Sequence, residues 1–131
     1  MSVLDSIAPA TEREKTEVFL AKGEILIEQK RYVAAMDTFD DGLKLAASEE
    51  LLYARAMLGE KIGRIDIVER DLRAILAEDP ENAQALNALG YTLADRTKRY
   101  EEAYALIEKA LELDPESFYI LDSIGWVLYR L

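Results

Sequence analysis

The sequence predicts an all-α fold, an α-solenoid in which antiparallel helix pairs form a right-handed superhelix. Three observations predict it: apolar residues recur at helical spacing, strand signals are scarce, and small residues and prolines return at intervals near 34 residues. A chain of 131 residues, 50% hydrophobic and 32% charged, is long enough for one folded domain. We expect a flexible leader at residues 1–10 and one domain at 11–131, with repeats at 16–48, 49–82 and 83–117 and a half repeat at 118–131.

Seven helices follow from the apolar spacing. The clearest pattern is in residues 99–113, where apolar side chains recur at i, i+3, i+4 and i+7, as on one face of a helix. The same spacing, read between turn residues, predicts helices at 11–29, 32–46, 49–62, 65–78, 80–96, 99–113 and 116–131.

The turns repeat as well. Asp79-Pro80-Glu81 and Asp114-Pro115-Glu116 lie 35 residues apart. An Asp accepts a free N–H at a helix start and Pro suits the first helical position. We therefore expect each Asp to be the N-cap of the helix that follows.

Small residues mark the helix crossings. One set recurs at intervals of 33, 34 and 35 residues, and a second set follows it by twelve residues in the first two repeats and by thirteen in the third. Two helices that approach closely need small side chains where they cross. The first set is Gly23, Ala56, Gly90 and Gly125; the second is Ala35, Val68 and Ala103. Tyr32, Ile65 and Tyr100 are expected to start the second helices.

This register resembles the tetratricopeptide repeat. The best match is residues 83–117, and residues 49–82 match least, with Arg55 and Gly59 in usually apolar or aromatic positions. The resemblance implies a non-catalytic scaffold for a protein or peptide partner. The matching residues of the third repeat are Leu86, Leu89, Gly90, Tyr100, Ala103, Ile107, Ala110, Leu111, Asp114 and Pro115.

A narrower resemblance covers most of residues 16–131. The runs LNALGYTLADRT, YEEAYALIEKALELDP and ILDSIGWVLYRL are similar to a group of Gram-negative tetratricopeptide lipoproteins on the periplasmic face of the outer membrane. Some of these are adaptors of a carboxyl-terminal processing protease. The resemblance implies such a role, with the chain part of a longer periplasmic, membrane-anchored protein; without it the compartment defaults to the cytoplasm.

Composition excludes most other functions. The chain has neither Cys nor His, which removes thiol and imidazole chemistry and the usual zinc ligands. Its net charge of −10 disfavours nucleic acid and anionic membranes, and no apolar run spans a bilayer. Asp37, Asp40 and Asp41 lack the Gly and terminal Glu of a calcium loop. We therefore expect no catalysis, no metal, no cofactor and no membrane insertion.

The first helix of each pair lines the concave groove in the tetratricopeptide fold. Carrying that register over predicts a partner-binding groove that mixes aromatic, apolar and polar groups, as suits peptide binding. The alternative is that Tyr91 and Trp126 pack on a neighbouring helix. The groove residues are Leu20, Glu24, Tyr53, Met57, Asn87, Tyr91, Asp122 and Trp126. The Lys, Arg and Asn clamp that grips chaperone tails in this family is not expected, because its positions hold no cation: Leu20, Glu24, Ala54, Gln84 and Ala88.

The last helix is unusually apolar. Ten of residues 116–131 are apolar or aromatic, more than one preceding repeat is expected to cover. The sequence therefore leaves a second function open, a structural module that acts mainly by self-association, for example as a homodimer. The residues predicted for that contact are Phe118, Leu121, Ile124, Val127 and Leu128.

Overall fold

A computed structural model describes residues 11–131, so the leader predicted at residues 1–10 lies outside the described residues. The described chain is all-α, with seven helices and no strand, and the predicted fold class is confirmed. The helices are α1 (Glu12–Glu28), α2 (Tyr32–Leu45), α3 (Glu49–Lys61), α4 (Ile65–Glu78), α5 (Ala83–Arg96), α6 (Tyr100–Leu113) and α7 (Phe118–Arg130).

The second helices begin where the sequence predicted, but two first helices begin later. Asp79 ends α4 instead of capping α5, and Asp114 likewise ends α6. The caps are the next suitable side chains: Asn82 accepts a hydrogen bond from the Ala85 N–H at 2.9 Å, and Ser117 caps α7 in the same way. A residue before Pro is driven out of the helical region, which suits the end of a helix as well as a cap.

The chain divides into two compact units, residues 1–51 and 52–131, with the boundary inside α3. The described part of the first unit is built on the α1–α2 hairpin. Gly23 of α1 lies against the ring of Phe39, where a Cβ would clash with ring atoms, and Ala35 and Phe39 are fully buried. The predicted small residue thus lies at the crossing.

The second unit carries the larger core. Its α5–α6 hairpin crosses at Gly90, where a Cβ would lie 2.9 Å from the Ala103 carbonyl oxygen and would clash with Ile107. The predicted crossing is confirmed here too. The helix α7 packs on both α5 and α6. The buried core residues are Ala56, Val68, Leu72, Ile75, Ala85, Leu86, Leu89, Leu93, Ala94, Ala103, Ile107, Ala110, Ile120 and Val127.

A buried ion pair occupies the weakest repeat. Arg55 donates from Nε to Asp71 Oδ2 at 2.7 Å and from Nη2 to Asp71 Oδ1 at 2.8 Å, joining α3 to α4. The Asp71 side chain is 1% exposed and that of Arg55 is 15% exposed. This bidentate pair explains how the repeat tolerates Arg55 in a usually apolar position.

A second network joins α4 to the start of α6. Arg99 donates to Glu69 and to Glu102, and Arg73 donates to the same two carboxylates. Arg99 is the main cause of the lowered pKa of Glu69, and Arg73 is the main cause of the lowered pKa of Glu102. Arg99, which directly precedes α6, therefore links the two helices through specific ion pairs.

Candidate functional site

Side chains of α3, α5 and α7, with the turn before α7, line two adjoining hollows in the second unit, about 420 and 600 Å³ in volume. Tyr53, Asn87 and Tyr119 line both. We call the two hollows together the tyrosine groove. Its remaining lining residues are Met57, Glu60, Ala83, Gln84, Ala88, Tyr91, Thr92, Asp114, Ser117, Ile120, Asp122 and Ser123.

The repeat register explains why these side chains meet. Tyr53, Asn87 and Asp122 are 34 and 35 residues apart, each on the first helix of a pair. Equivalent positions of stacked pairs lie on the same side of the stack, so side chains far apart in sequence become neighbours.

Some polar groups of the groove have a partner within the chain. Tyr53 hydrogen-bonds Gln84, and burial raises the pKa of the Tyr53 phenol, so it stays neutral at physiological pH. Glu60 accepts from Arg96 Nη2 at 2.8 Å. Asn87 differs, because its Oδ1 is buried and has no donor among the described residues. A buried acceptor without a donor is costly, which makes Asn87 a candidate contact for a ligand N–H.

Five of the predicted groove residues come together in this way: Tyr53, Met57, Asn87, Tyr91 and Asp122. Tyr91 keeps 41% of its surface exposed. The other two predicted residues of the first helices, Leu20 and Glu24, lie on α1 in the first unit, the former partly buried and the latter exposed.

Trp126 does not line either hollow. Its ring stacks on Tyr129, with centroids 5.8 Å apart, and the Arg130 guanidinium lies 5.6 Å from its centroid. The same guanidinium lies 5.5 Å from the Tyr100 ring centroid and donates to the Tyr100 hydroxyl. The alternative kept open for Trp126 was packing on a neighbouring helix; the residue is partly buried against the core cluster, while its ring stacks on a residue of its own helix. Its Nε1 is buried without an acceptor in residues 11–131.

Sequence reasoning missed several polar lining residues, namely Thr92, Asp114, Ser117 and Ser123. Thr92 and Ser123 each follow a predicted inner-face residue by one position, and the other two belong to the turn before α7. A helix face wider than one residue per turn, and a later start of α7, would have found them.

The residues predicted for self-association divide into two groups. Phe118, Leu121 and Leu128 are 80%, 43% and 55% exposed, and Ile124 is partly buried. Val127 was wrongly expected at the surface: it is fully buried, because it shares the inward face of α7 with Ile120.

Residues 11–131 contain neither a cluster of metal ligands nor a membrane-spanning helix. No group of three or more Asp or Glu side chains there is placed to hold a metal ion. None of the helices described combines the length and the apolar character needed to cross a bilayer.

Known proteins were then compared with the chain. The family model described as tetratricopeptide repeat matches residues 53–118, which is half of the chain. The TPR repeat-containing protein PA4667 of Pseudomonas aeruginosa is 47% identical over 115 residues, covering 87% of this chain. Those residues are 20% of PA4667, so the chain spans about a fifth of that relative's length.

Two solved structures illustrate the similarity of fold. The first TPR of Spaghetti (RPAP3), bound to the HSP90 peptide SRMEEVD, superposes with a TM-score of 0.79 at 23% identity, over 88% of this chain and 91% of that one. The 41-end form of MamA from Desulfovibrio magneticus RS-1 gives a TM-score of 0.75 at 26% identity, over 88% of this chain and 65% of that one.

Proposed function

Because the chain belongs to the tetratricopeptide repeat family, whose members are generally non-catalytic protein-interaction modules, we propose that it holds a segment of a partner protein in the tyrosine groove. The observation that carries the proposal is the groove itself. Tyr53, Tyr91 and Tyr119 line it together with Met57, although none of the four is among the fully buried core residues. Tyrosine buries much area at a small entropic cost, which favours a binding role.

The neighbour's HSP90 peptide is not the proposed ligand. SRMEEVD carries three acidic side chains. Aligned by repeat register, the five clamp positions of this chain hold no Lys or Arg, and Glu24 occupies one of them. A carboxylate at that position would repel an acidic tail.

The experiment that tests groove binding is affinity capture from a cell extract, followed by measurement of Kd with the purified partner. A central aromatic contact is worth at least about 2 kcal/mol, so Tyr91→Ala should raise Kd roughly thirtyfold. Tyr129→Ala is the matched control, since Tyr129 is 78% exposed and lies outside both hollows. Equal Kd values for the wild type and Tyr91→Ala would refute binding in this groove.

We further propose that the chain is part of an adaptor of a carboxyl-terminal processing protease. The full protein would be anchored to the outer membrane and would face the periplasm. The similarity of most of residues 16–131 to such lipoproteins supports this. Purified protease should cleave its substrate faster when the chain is present, and Tyr91→Ala should remove the acceleration. The compartment is tested separately, by cell fractionation with the full-length protein.

A second candidate function is self-association through α7. The outward face of α7 exposes Phe118, Leu121 and Leu128, and a Cβ at Gly125 would meet nothing within 4 Å. Two chains of net charge −10 repel, but physiological salt screens that repulsion within about 8 Å. Analytical ultracentrifugation should therefore show a dimer of the 14.8 kDa chain that Leu128→Glu dissociates. A concentration-independent monomer would refute this function.

A further inference from the structure

The charge of the tyrosine groove is one-sided. Apart from its tyrosines, its ionisable side chains are Glu60, Asp114 and Asp122, and no Lys or Arg lines either hollow. Neither aspartate forms an ion pair within the part of the chain that the structure describes. The groove therefore carries negative charge that no neighbouring side chain neutralises.

Arg96 binds the groove residue Glu60, but it does not make the net charge of the groove positive. Arg96 donates to Glu60, and it also donates from Nε to Asp95 Oδ2 at 3.2 Å. Its guanidinium is already shared between two carboxylates. The charge at Asp114 and Asp122 remains available to a ligand.

The uncharged groups favour the same kind of ligand. The rings of Tyr91 and Tyr119 are 41% and 81% exposed, and line the same hollow as Asp122. An aromatic ring attracts a cation to its face, and a guanidinium can stack on a ring while it binds a carboxylate with two hydrogen bonds. Asn87 Oδ1 lacks a donor, which a backbone N–H or a cationic side chain would supply.

We propose that the tyrosine groove selects a basic peptide segment, an extended stretch whose Arg or Lys side chains lie against Asp122 and whose N–H groups reach Asn87. The inference deepens the proposed function and rests on it. Charge complementarity decides the partner's chemistry: the chain has 26 acidic and 16 basic residues, so an acidic segment is repelled by the groove and by the molecule as a whole.

The experiment begins with the selection of peptide ligands from a library that is random in charge. A random dodecapeptide library displayed on phage is selected on the immobilised chain, and each selected peptide is tested again on Tyr91→Ala. Peptides that lose binding define the groove ligands. We expect these to be enriched in Arg and Lys relative to the unselected library. Groove ligands that are neutral or acidic would overturn the charge inference and leave the proposed function standing. If no peptide depends on Tyr91, both proposals fail.

The second part of the experiment separates the effect of charge in the groove from the effect of the chain's total charge on peptide binding. The tightest groove ligand is synthesised with a fluorophore, and its Kd is measured by anisotropy. Asp122→Asn should raise Kd about fivefold, as removal of one close surface charge pair implies. Glu112→Gln makes the same charge change on an exposed residue of α6 outside the groove, and should leave Kd unchanged. Equal effects of the two variants would show attraction to the whole chain, which overturns the assignment to the groove.

Discussion

The hairpins α1–α2 and α5–α6 each place a glycine where the two helices cross, but the atoms that face the glycine differ. Gly23 faces the ring of Phe39, the far end of a side chain. Gly90 faces the Ala103 carbonyl oxygen in addition to Ile107, so backbone meets backbone there. The same repeat position thus meets side-chain atoms alone in one hairpin and both side-chain and main-chain atoms in the other, and main-chain atoms within a helix move less easily than a side chain does.

The units that contain these hairpins also differ in their polar links. In the described part of residues 1–51, the Arg13–Glu17 and Asp41–Lys44 ion pairs are each within one helix and exposed. In residues 52–131, ion pairs join different helices, and the Arg55–Asp71 pair is buried. The comparison teaches that the repeat register determines where helices cross. Ion pairs between side chains outside the register determine how strongly neighbouring helix pairs are held together.

The largest expected effect is on the buried pair of the second unit. Asp71→Ala leaves Arg55 without its bidentate partner in a position that is only 15% exposed. Loss of one member of a buried pair typically costs about 3 kcal/mol or more of unfolding free energy. Urea unfolding measures this, with Asp41→Ala as control, because Asp41 pairs with Lys44 at an exposed site. Similar losses in the two variants would contradict the distinction between the units.

The crossing comparison is tested by Gly90→Ala and Gly23→Ala. The methyl group at residue 90 cannot avoid the Ala103 backbone, so we expect roughly 2 kcal/mol of overpacking there. At residue 23 the methyl group meets side-chain atoms only, which shift more easily than a helix backbone, so the loss should be smaller. Thermal melts of the two variants give the comparison directly. If Gly23→Ala were the more damaging, the backbone contact would not be the controlling feature.

The periodic part of the molecule was accessible from sequence. Gly23 and Gly90 were placed at crossings, and Tyr32, Ile65 and Tyr100 at helix starts, because each position repeats and depends on contacts within one hairpin. Repetition makes such an inference robust, since one register must satisfy several hairpins at once.

Features outside the repeat register could not be predicted from the sequence. The Arg55–Asp71 pair joins two helices at a position where the other repeats carry no such pair, so no period reveals it. The start of α5 depended on competition between two capping candidates three residues apart, Asp79 and Asn82. Trp126 has the spacing of a groove residue, yet Arg130 and Tyr129 hold its ring elsewhere. For the site, the register therefore found five of the fifteen lining residues and missed others, among them the turn residue Asp114.

A smaller effect concerns pH and the network that joins α4 to α6. The pKa values of Glu69 and Glu102 are held below the ordinary glutamate value of 4.5. Their contribution to stability is complete above that value and is lost as the pH falls through their folded-state pKa values. Arg99→Ala should let the pKa of Glu69 rise, and should reduce the acid-dependent loss by less than about 1 kcal/mol, since these side chains are partly exposed.

Melting temperatures measured from neutral to acidic pH test this. The matched control is Lys44→Ala, which removes an exposed pair in the first unit and should leave the acid profile unchanged. If the profiles of Arg99→Ala and the wild type coincide, the network does not contribute to acid stability.

The smallest effect is expected at Gly125, the third glycine of the register. No atom lies within 4 Å of a Cβ built there, although the residue occupies the position of Gly90 one repeat earlier. In a monomer, Gly125→Ala removes helix-destabilising flexibility without a clash and should stabilise by about 0.5–1 kcal/mol. If α7 instead packs on a second copy with its glycine at the crossing, as Gly90 packs on α6, the methyl group falls in the contact and weakens the dimer. Thermal melts below and above the dissociation constant found by ultracentrifugation separate these cases. A gain at low concentration that reverses at high concentration supports a close helix crossing at Gly125, whereas the same gain throughout shows that the glycine takes no part in self-association.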